Sequence, residues 1–188
     1  ESISDDSLIY GVNTGFGSLC EEKIPLNKIN KLQENLIVSH ACGTGDLILK
    51  DIIKIILILK INSLSLGFSG VRLSLVELLI KMYNKDIIPV IYEQGSLGAS
   101  GDLAPLAHLS LPLIGKGDVY YKGKIVKSKT AFKKENIKLY NLSYKEGLAL
   151  LNGTQFMSAF CVWSIIQSKR ISYFPDLVAS ISLEAFSC

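Results

Sequence analysis

At 188 residues, with 48% hydrophobic and 20% charged side chains, the chain has enough apolar material to bury a core and too much to be disordered. Its formal net charge of +3 and pI near 8.6 are mildly basic. Lys and Arg are scattered and form no stripe interleaved with aromatics, so nucleic acid is not an expected partner.

The chain opens at Glu1 without a basic and apolar leader, so no signal peptide is expected, and both ends read as those of a piece of something longer. From Leu26 to His40, the positions Leu26, Ile29, Gln33, Leu36, Ile37 and His40 recur at three- and four-residue spacing, which predicts one face of a helix that Gly43 and Gly45 end. A second helix is expected from about Asp46 toward Leu66. It contains Ile52 to Ile61, the most apolar stretch of a chain whose mean hydropathy is +0.33. Lys50, Asp51, Lys54 and Lys60 interrupt that stretch, and no uninterrupted apolar run approaches the ~20 residues a membrane span needs. No membrane is therefore expected, and a helix buried on most faces, in a large bundle or a subunit interface, fits better.

A third helix is expected from about Val71 to Tyr83, with Val71, Leu75, Leu78, Leu79 and Met82 facing inward, and Pro89 stops regular helix. Val119 to Val126 places β-branched and aromatic residues around a Lys-Gly turn, the pattern of a small hairpin. Ser143-Tyr144-Lys145-Glu146 has the form of a capping box, starting a helix that Asn152-Gly153 interrupts before Thr154 restarts it. With no repeats, low-complexity tracts or linkers, the expectation is one mainly α domain, incomplete, over residues 1–188. The four cysteines, Cys20, Cys42, Cys161 and Cys188, lie far apart, and with only His40 and His108 available no metal-ligand spacing can be assembled. They read as reduced thiols of a cytoplasmic protein.

Chemistry concentrates in Gly95-Ser96-Leu97-Gly98-Ala99-Ser100-Gly101-Asp102-Leu103-Ala104-Pro105. Small residues there precede a helix that Asp102 would cap, with Pro105 tolerable in its first turn and the helix N-terminus aimed at Ser100. Three readings stay open at this level. One is a flexible loop before a capped helix. Another is an anion cradle of backbone N–H groups, although the Lys-Ser/Thr pair of a nucleotide loop is missing. In the third, the amide nitrogen of Gly101 attacks the carbonyl of Ala99. That tight approach needs no Cβ on the attacking residue and a small one on the attacked residue, and loss of water from Ser100 then leaves a conjugated methylidene electrophile.

Gly95 to His108 resembles the signature of the aromatic amino-acid ammonia-lyases, whose Ala-Ser-Gly becomes 4-methylidene-imidazol-5-one. Three more segments resemble the family in the same order. Tyr10-Gly11-Val12-Asn13-Thr14-Gly15-Phe16-Gly17 is similar to its mobile active-site loop, whose tyrosine is assigned as the base. Ser39-His40 stands where histidine-specific members carry this pair and phenylalanine-specific members typically carry Phe-Leu. Asn152-Gly153-Thr154-Gln155 resembles the substrate-binding asparagine segment, with Gln155 in the form typical of the histidine branch.

The resemblance implies a helical-bundle core and removal of ammonia from L-histidine to give trans-urocanate. It implies Tyr10 and Ser100 as catalytic, Ala99, Ser100 and Gly101 as ring-forming, and His40 and Asn152 as substrate-binding, with Asp102 and Gln155 behind them. It also implies a homotetramer whose remaining catalytic groups lie outside this segment, and no metal or nucleotide. Phenylalanine or tyrosine lyases and aminomutases of the same family, or a catalytically silent helical fragment, are the alternatives. One departure is Leu66, where relatives frequently carry arginine, which puts local packing or an ion pair in doubt.

Overall fold

The computed structural model describes residues 8–187, and helices carry most of it. In chain order the elements are α1 (Ile29–His40), β1 (Thr44–Leu47), α2 (Lys50–Ser65), α3 (Leu73–Asn84), β2 (Ile88–Pro89), β3 (Tyr92–Gln94), α4 (Leu103–Ser110), β4 (Asp118–Tyr121), β5 (Lys124–Lys127), α5 (Ser128–Lys134), α6 (Glu146–Leu151) and α7 (Gln155–Ala185). The mainly α expectation holds. Cys188 lies outside the described residues.

The core is built around α2. Its residues Ile52, Ile53, Ile56, Leu57 and Leu64 are buried and pack with Leu75, Val76, Leu79 and Met82 of α3 and with the first turns of α7. As expected, the apolar helix is buried on most faces, and the helices that cover it, α3 and α7, belong to the chain itself. Exposed apolar side chains lie instead on α7, where Ile165, Ile171, Phe174, Val178, Ile181 and Leu183 are uncovered. The membrane argument shifts with them: within Glu146–Ala185, not Ile52–Ile61, a stretch is long and apolar enough to cross a membrane by length and composition alone. Its start is pinned to the core by Phe156 and Ala159, and Lys169, Arg170, Asp176 and Glu184 charge the remainder.

Several boundaries move for identifiable reasons. The first helix begins at Ile29, after a 3-10 turn over Leu26–Lys28. The second begins at Lys50, because residues from Thr44 to Leu47 pair antiparallel with β3, Thr44 opposite Gln94 and Leu47 opposite Tyr92. In α3 it is Val76 that is buried, while Val71 and Leu78 are half-buried. The hairpin is present as β4 and β5, with Lys122 and Gly123 both at positive φ (49° and 76°), the turn geometry that matches strand twist. A third strand, β2, joins it through Ile88 opposite Tyr120.

The capping box is half realised. Glu146 accepts from the Ser143 backbone N–H at 2.8 Å, but no side chain caps α6, which starts at Glu146 itself. Leu66, the departure noted above, is 62% exposed at the end of α2 and therefore costs no packing.

Candidate active site

The chain's folding brings four separated segments to one cavity of about 180 Å³. Tyr10, His40, Ser100 and Asn152 all line it, between apolar walls supplied by Phe16, Leu36, Leu103, Leu148 and Leu151. No helix or strand holds Tyr10, so its position must be set by the loop around it. Asn13 Oδ1 accepts from Ile9 N–H at 2.7 Å, Thr14 Oγ1 accepts from Gly11 N–H at 3.3 Å, and Thr14 bridges to Lys23. The Tyr10 ring meets the edge of Phe16 at 6.0 Å, and its hydroxyl accepts from Gly17 N–H at 3.5 Å.

Gln33 connects this loop to the core. It is fully buried on α1, where its Nε2 donates to the Gly11 carbonyl at 3.3 Å. Its Oε1 accepts from Gly147 N–H at 2.9 Å and Leu148 N–H at 3.4 Å, two donors in the first turn of α6 that have no partner within that helix. The helical pattern placed Gln33 on the inward face but gave it no role.

At the C-terminal end of α1, His40 Nδ1 lies 2.8 Å from the Leu36 carbonyl and 3.1 Å from Ser39 Oγ. A carbonyl only accepts, so Nδ1 carries the proton in this contact; an Nε2 without a proton would be able to accept from a bound N–H donor, and His40 lines the cavity. Such a site suits an N–H donor of a small aromatic heterocycle.

The Ala99-Ser100 turn is exposed, and the residues after it are clamped. Asp102, fully buried, accepts from Ser96 Oγ at 2.8 Å with one oxygen and from Met157 N–H at 3.1 Å with the other. This corrects the expectation that Asp102 caps its own helix: no side-chain cap serves α4. The carboxylate turns away to satisfy an orphan donor in the first turn of α7, and in doing so ties both ends of the 96–102 loop to that helix.

The Asp102 N–H donates to Gly153 O at 2.8 Å. Gly101, at φ +113°, lies against the same turn: a Cβ there would sit 2.9 Å from Gly153 O and 3.2 Å from Asn152 Oδ1. Only glycine fits. A small residue at Ala99, no Cβ at Gly101 and an accessible Ser100 match what ring formation demands of the chain.

Behind Asn152 stands a residue that the sequence marked only as an interruption. Lys60 of α2 is 1% exposed, and its Nζ donates to Ala149 O at 2.8 Å, Asn152 O at 3.0 Å and Gln155 Oε1 at 3.4 Å. Burial pushes its ammonium down to about 7 from an ordinary 10.5, while its three acceptors match the three N–H donors of the protonated form. The available signal was phase: Lys60 falls on the stripe Ile53, Ile56, Leu57 and Leu64 and so had to be inside.

A second brace lies at the other end of α6. Buried Glu146 accepts from Arg72 Nε (3.0 Å) and Nη2 (2.8 Å), from Arg72 N–H (3.1 Å) and from the Tyr140 hydroxyl (3.0 Å). Burial alone would push this carboxyl up, but the guanidinium and these donors hold it below the usual range. On α4, His108 Nε2 accepts from Gly43 N–H at 3.0 Å, and burial lowers its pKa. Among the described residues no group of three or more His, Cys, Asp or Glu side chains is arranged to hold a metal ion.

Solved structures share this arrangement of elements. Phenylalanine aminomutase of Pantoea agglomerans superposes with a TM-score of 0.84 at 38% identity, over 89% of this chain and 32% of that one. Histidine ammonia-lyase from Trypanosoma cruzi gives 0.81 at 36% identity, over the same 89% and 32%. Fold and pocket together thus define the helical core of the ammonia-lyases and aminomutases.

Within that class the chain belongs to the aromatic amino acid lyase family, whose model matches residues 1–188. Among curated relatives, histidine ammonia-lyase of Caldanaerobacter subterraneus subsp. tengcongensis is 48% identical over 97% of this chain, and that of Idiomarina loihiensis 47% over 95%. The chain spans about 36% and 35% of their respective lengths.

Proposed function

We propose that the whole protein of which this chain is part eliminates ammonia from L-histidine, giving trans-urocanate. One observation carries the reading: a single cavity collects Tyr10, His40, Ser100 and Asn152 from four distant segments. The relatives named as histidine ammonia-lyases support the substrate, as does an acceptor at His40 Nε2 for an imidazole N–H.

The chemical problem is that an α-amino group leaves badly and the β-proton that departs with it is not acidic. The 4-methylidene-imidazol-5-one that Ala99, Ser100 and Gly101 would form supplies an electrophilic carbon that no ordinary side chain offers. The remaining work falls to the chain. His40 orients the imidazole, the Asn152 amide binds the amino-acid end, and Tyr10 Oη takes the β-proton as the Cα–N bond breaks and the Cα–Cβ double bond forms. The apolar side chains of Leu36, Leu103, Leu148 and Leu151 line the cavity beside these groups.

Oligomeric state and compartment belong to the same proposal. The uncovered apolar face of α7 suits a homotetramer, and the exposed thiols of Cys20, Cys42 and Cys161 suit the reducing cytoplasm. The test is turnover by full-length protein offered L-histidine, L-phenylalanine and L-tyrosine, followed by product absorbance and chromatography. Preferential formation of urocanate is expected. Preference for an aryl substrate, or β-amino acid as the product, would transfer the chain to the phenylalanine and tyrosine branch, whose aminomutases share its fold.

A further inference from the structure

Ring closure is a backbone reaction, so its rate depends on what presses the backbone into place. The Gly101 amide nitrogen bonds to the Ala99 carbonyl carbon, and the carbonyl oxygen leaves as water with the amide hydrogens of Ser100 and Gly101. A second water carries off the Ser100 hydroxyl and its α-hydrogen, leaving the methylidene. No oxidant or further reactant is required. Before either loss, Gly101 N must be held against a carbonyl it would not ordinarily approach.

The surface behind Gly101 is the turn at residues 152–155. Gly153 O takes the Asp102 N–H at 2.8 Å, and the Gly101 Cα lies so near Gly153 that not even a methyl group fits between them. Helical bonding is broken across this turn, because α6 ends at Leu151, with the Asn152 N–H its last donor, and α7 begins at Gln155. The carbonyls of Ala149 and Asn152 would be orphaned at that break. Lys60 meets both from the far side and takes Gln155 Oε1 as its third acceptor. Gly153, at φ +149°, lies so close to the Gln155 side chain that no Cβ would fit there.

We propose that Lys60 is a positioning residue for ring formation: its buried ammonium fixes the 152–155 turn as the backstop against which Gly101 is held for attack on Ala99. Lys60 touches none of the reacting atoms and acts only through the turn. This rests on the ammonia-lyase reading, since without a ring there is no closure to assist. A displacement near 1 Å at such a reaction costs on the order of 10²-fold in rate, so loss of the ammonium should leave much of the protein unclosed.

The experiment uses full-length wild-type protein and the variants Lys60→Met, Lys60→Gln and Lys60→Arg, each sampled at intervals after synthesis. Intact mass reports closure as the loss of two waters, and circular dichroism with thermal melting reports the fold. Wild type should be two waters lighter than its sequence throughout. Lys60→Met should keep its helix content while most chains remain at full sequence mass, closing at least tenfold more slowly, and Lys60→Arg should restore closure. A folded Lys60→Met that closes as fast as wild type overturns the proposal, as does Lys60→Arg failing as badly as Met. Should the Met variant not fold, Lys60→Gln is read by the same criterion: slowed closure supports the backstop and wild-type closure overturns it. Wild type at full sequence mass is a separate failure, that of the ammonia-lyase reading itself.

Discussion

Replacing Gln33 with leucine should loosen the Tyr10 loop and the start of α6 together, because one buried amide holds both. The substitution keeps the volume and removes three hydrogen bonds: Gly147 N–H at 2.9 Å, Leu148 N–H at 3.4 Å and the Gly11 carbonyl at 3.3 Å. A buried donor left unpaired costs about 1–3 kcal/mol, and the two longer bonds belong at the low end. The sum is about 3–5 kcal/mol, and the new leucine side chain would return little of it, since it fills a space that is already filled.

At 1.4 kcal/mol per decade, amides protected by this contact should exchange with solvent ~100- to 4000-fold faster. Hydrogen exchange read by mass spectrometry on peptides covering residues 8–17 and 143–151 is the assay. Both should accelerate, while the peptide covering β4 and β5, which pair with each other and with β2, should not. In the whole enzyme kcat should fall with little change in KM, because Tyr10 is displaced while the binding groups stay. Unchanged exchange in both peptides would refute the connection between loop and helix.

Ser100→Ala should abolish turnover with unaltered circular dichroism and cannot release the second water, so its mass should lie at most one water below its sequence; loss of two waters in that variant would move the electrophile elsewhere. Exchanging Ser39-His40 for Phe-Leu should cost histidine turnover about 1–3 kcal/mol, roughly 5- to 150-fold in kcat/KM, the scale of a lost hydrogen bond in a buried site; an unchanged ratio of histidine to phenylalanine turnover would remove His40 from recognition. Because burial lowers the His108 pKa, the unfolded state takes up a proton near 6.5 before the folded state does, so stability should be level above that pH and decline as pH falls from 6.5 toward the folded value. Denaturation midpoints between pH 8 and 5 for wild type and His108→Gln should show this decline only in wild type. Residues 1–188 expressed alone should form no urocanate and should associate in light scattering, since each uncovered Ile or Leu of α7 forgoes about 1.5–3 kcal/mol of burial; a monodisperse monomer that makes urocanate would overturn the multi-subunit reading.

Legibility in the sequence followed interaction range. The helical spans could be read because apolar spacing is local: Ile29, Gln33, Leu36 and Ile37 are buried together on α1 as their spacing required. The Lys122-Gly123 turn was equally visible, since its positive φ angles are a property of two adjacent residues. Strands β1 and β3 were not, because four exposed residues at 44–47 have no apolar alternation and gain order only by pairing with a segment nearly fifty positions later. The burial of α2 was legible, but the exposed apolar face of α7 was not, for a similar reason. Composition says how apolar a helix is, whereas only packing says which helix lies in the middle.

The site divides along the same line. Ala99, Ser100 and Gly101 could be singled out because ring closure is a demand on three adjacent residues, and Gly101 meets it sterically against Gly153. Asp102 was misread because an aspartate just before a helix is locally the best cap available, yet two long-range donors, Ser96 Oγ and Met157 N–H, compete for it and win. Lys60 shows the converse. In a linear reading its charge only breaks up an apolar run, but a lysine in phase with a buried stripe cannot stay there without acceptors, and the acceptors nearest to hand are backbone carbonyls at a helix break. Asn152-Gly153 is such a break, visible in the sequence as an interrupted helix. A buried cation and a helix that stops short therefore answer one another, and together they place a hydrogen-bonded turn directly behind the residues from which the electrophile would be built.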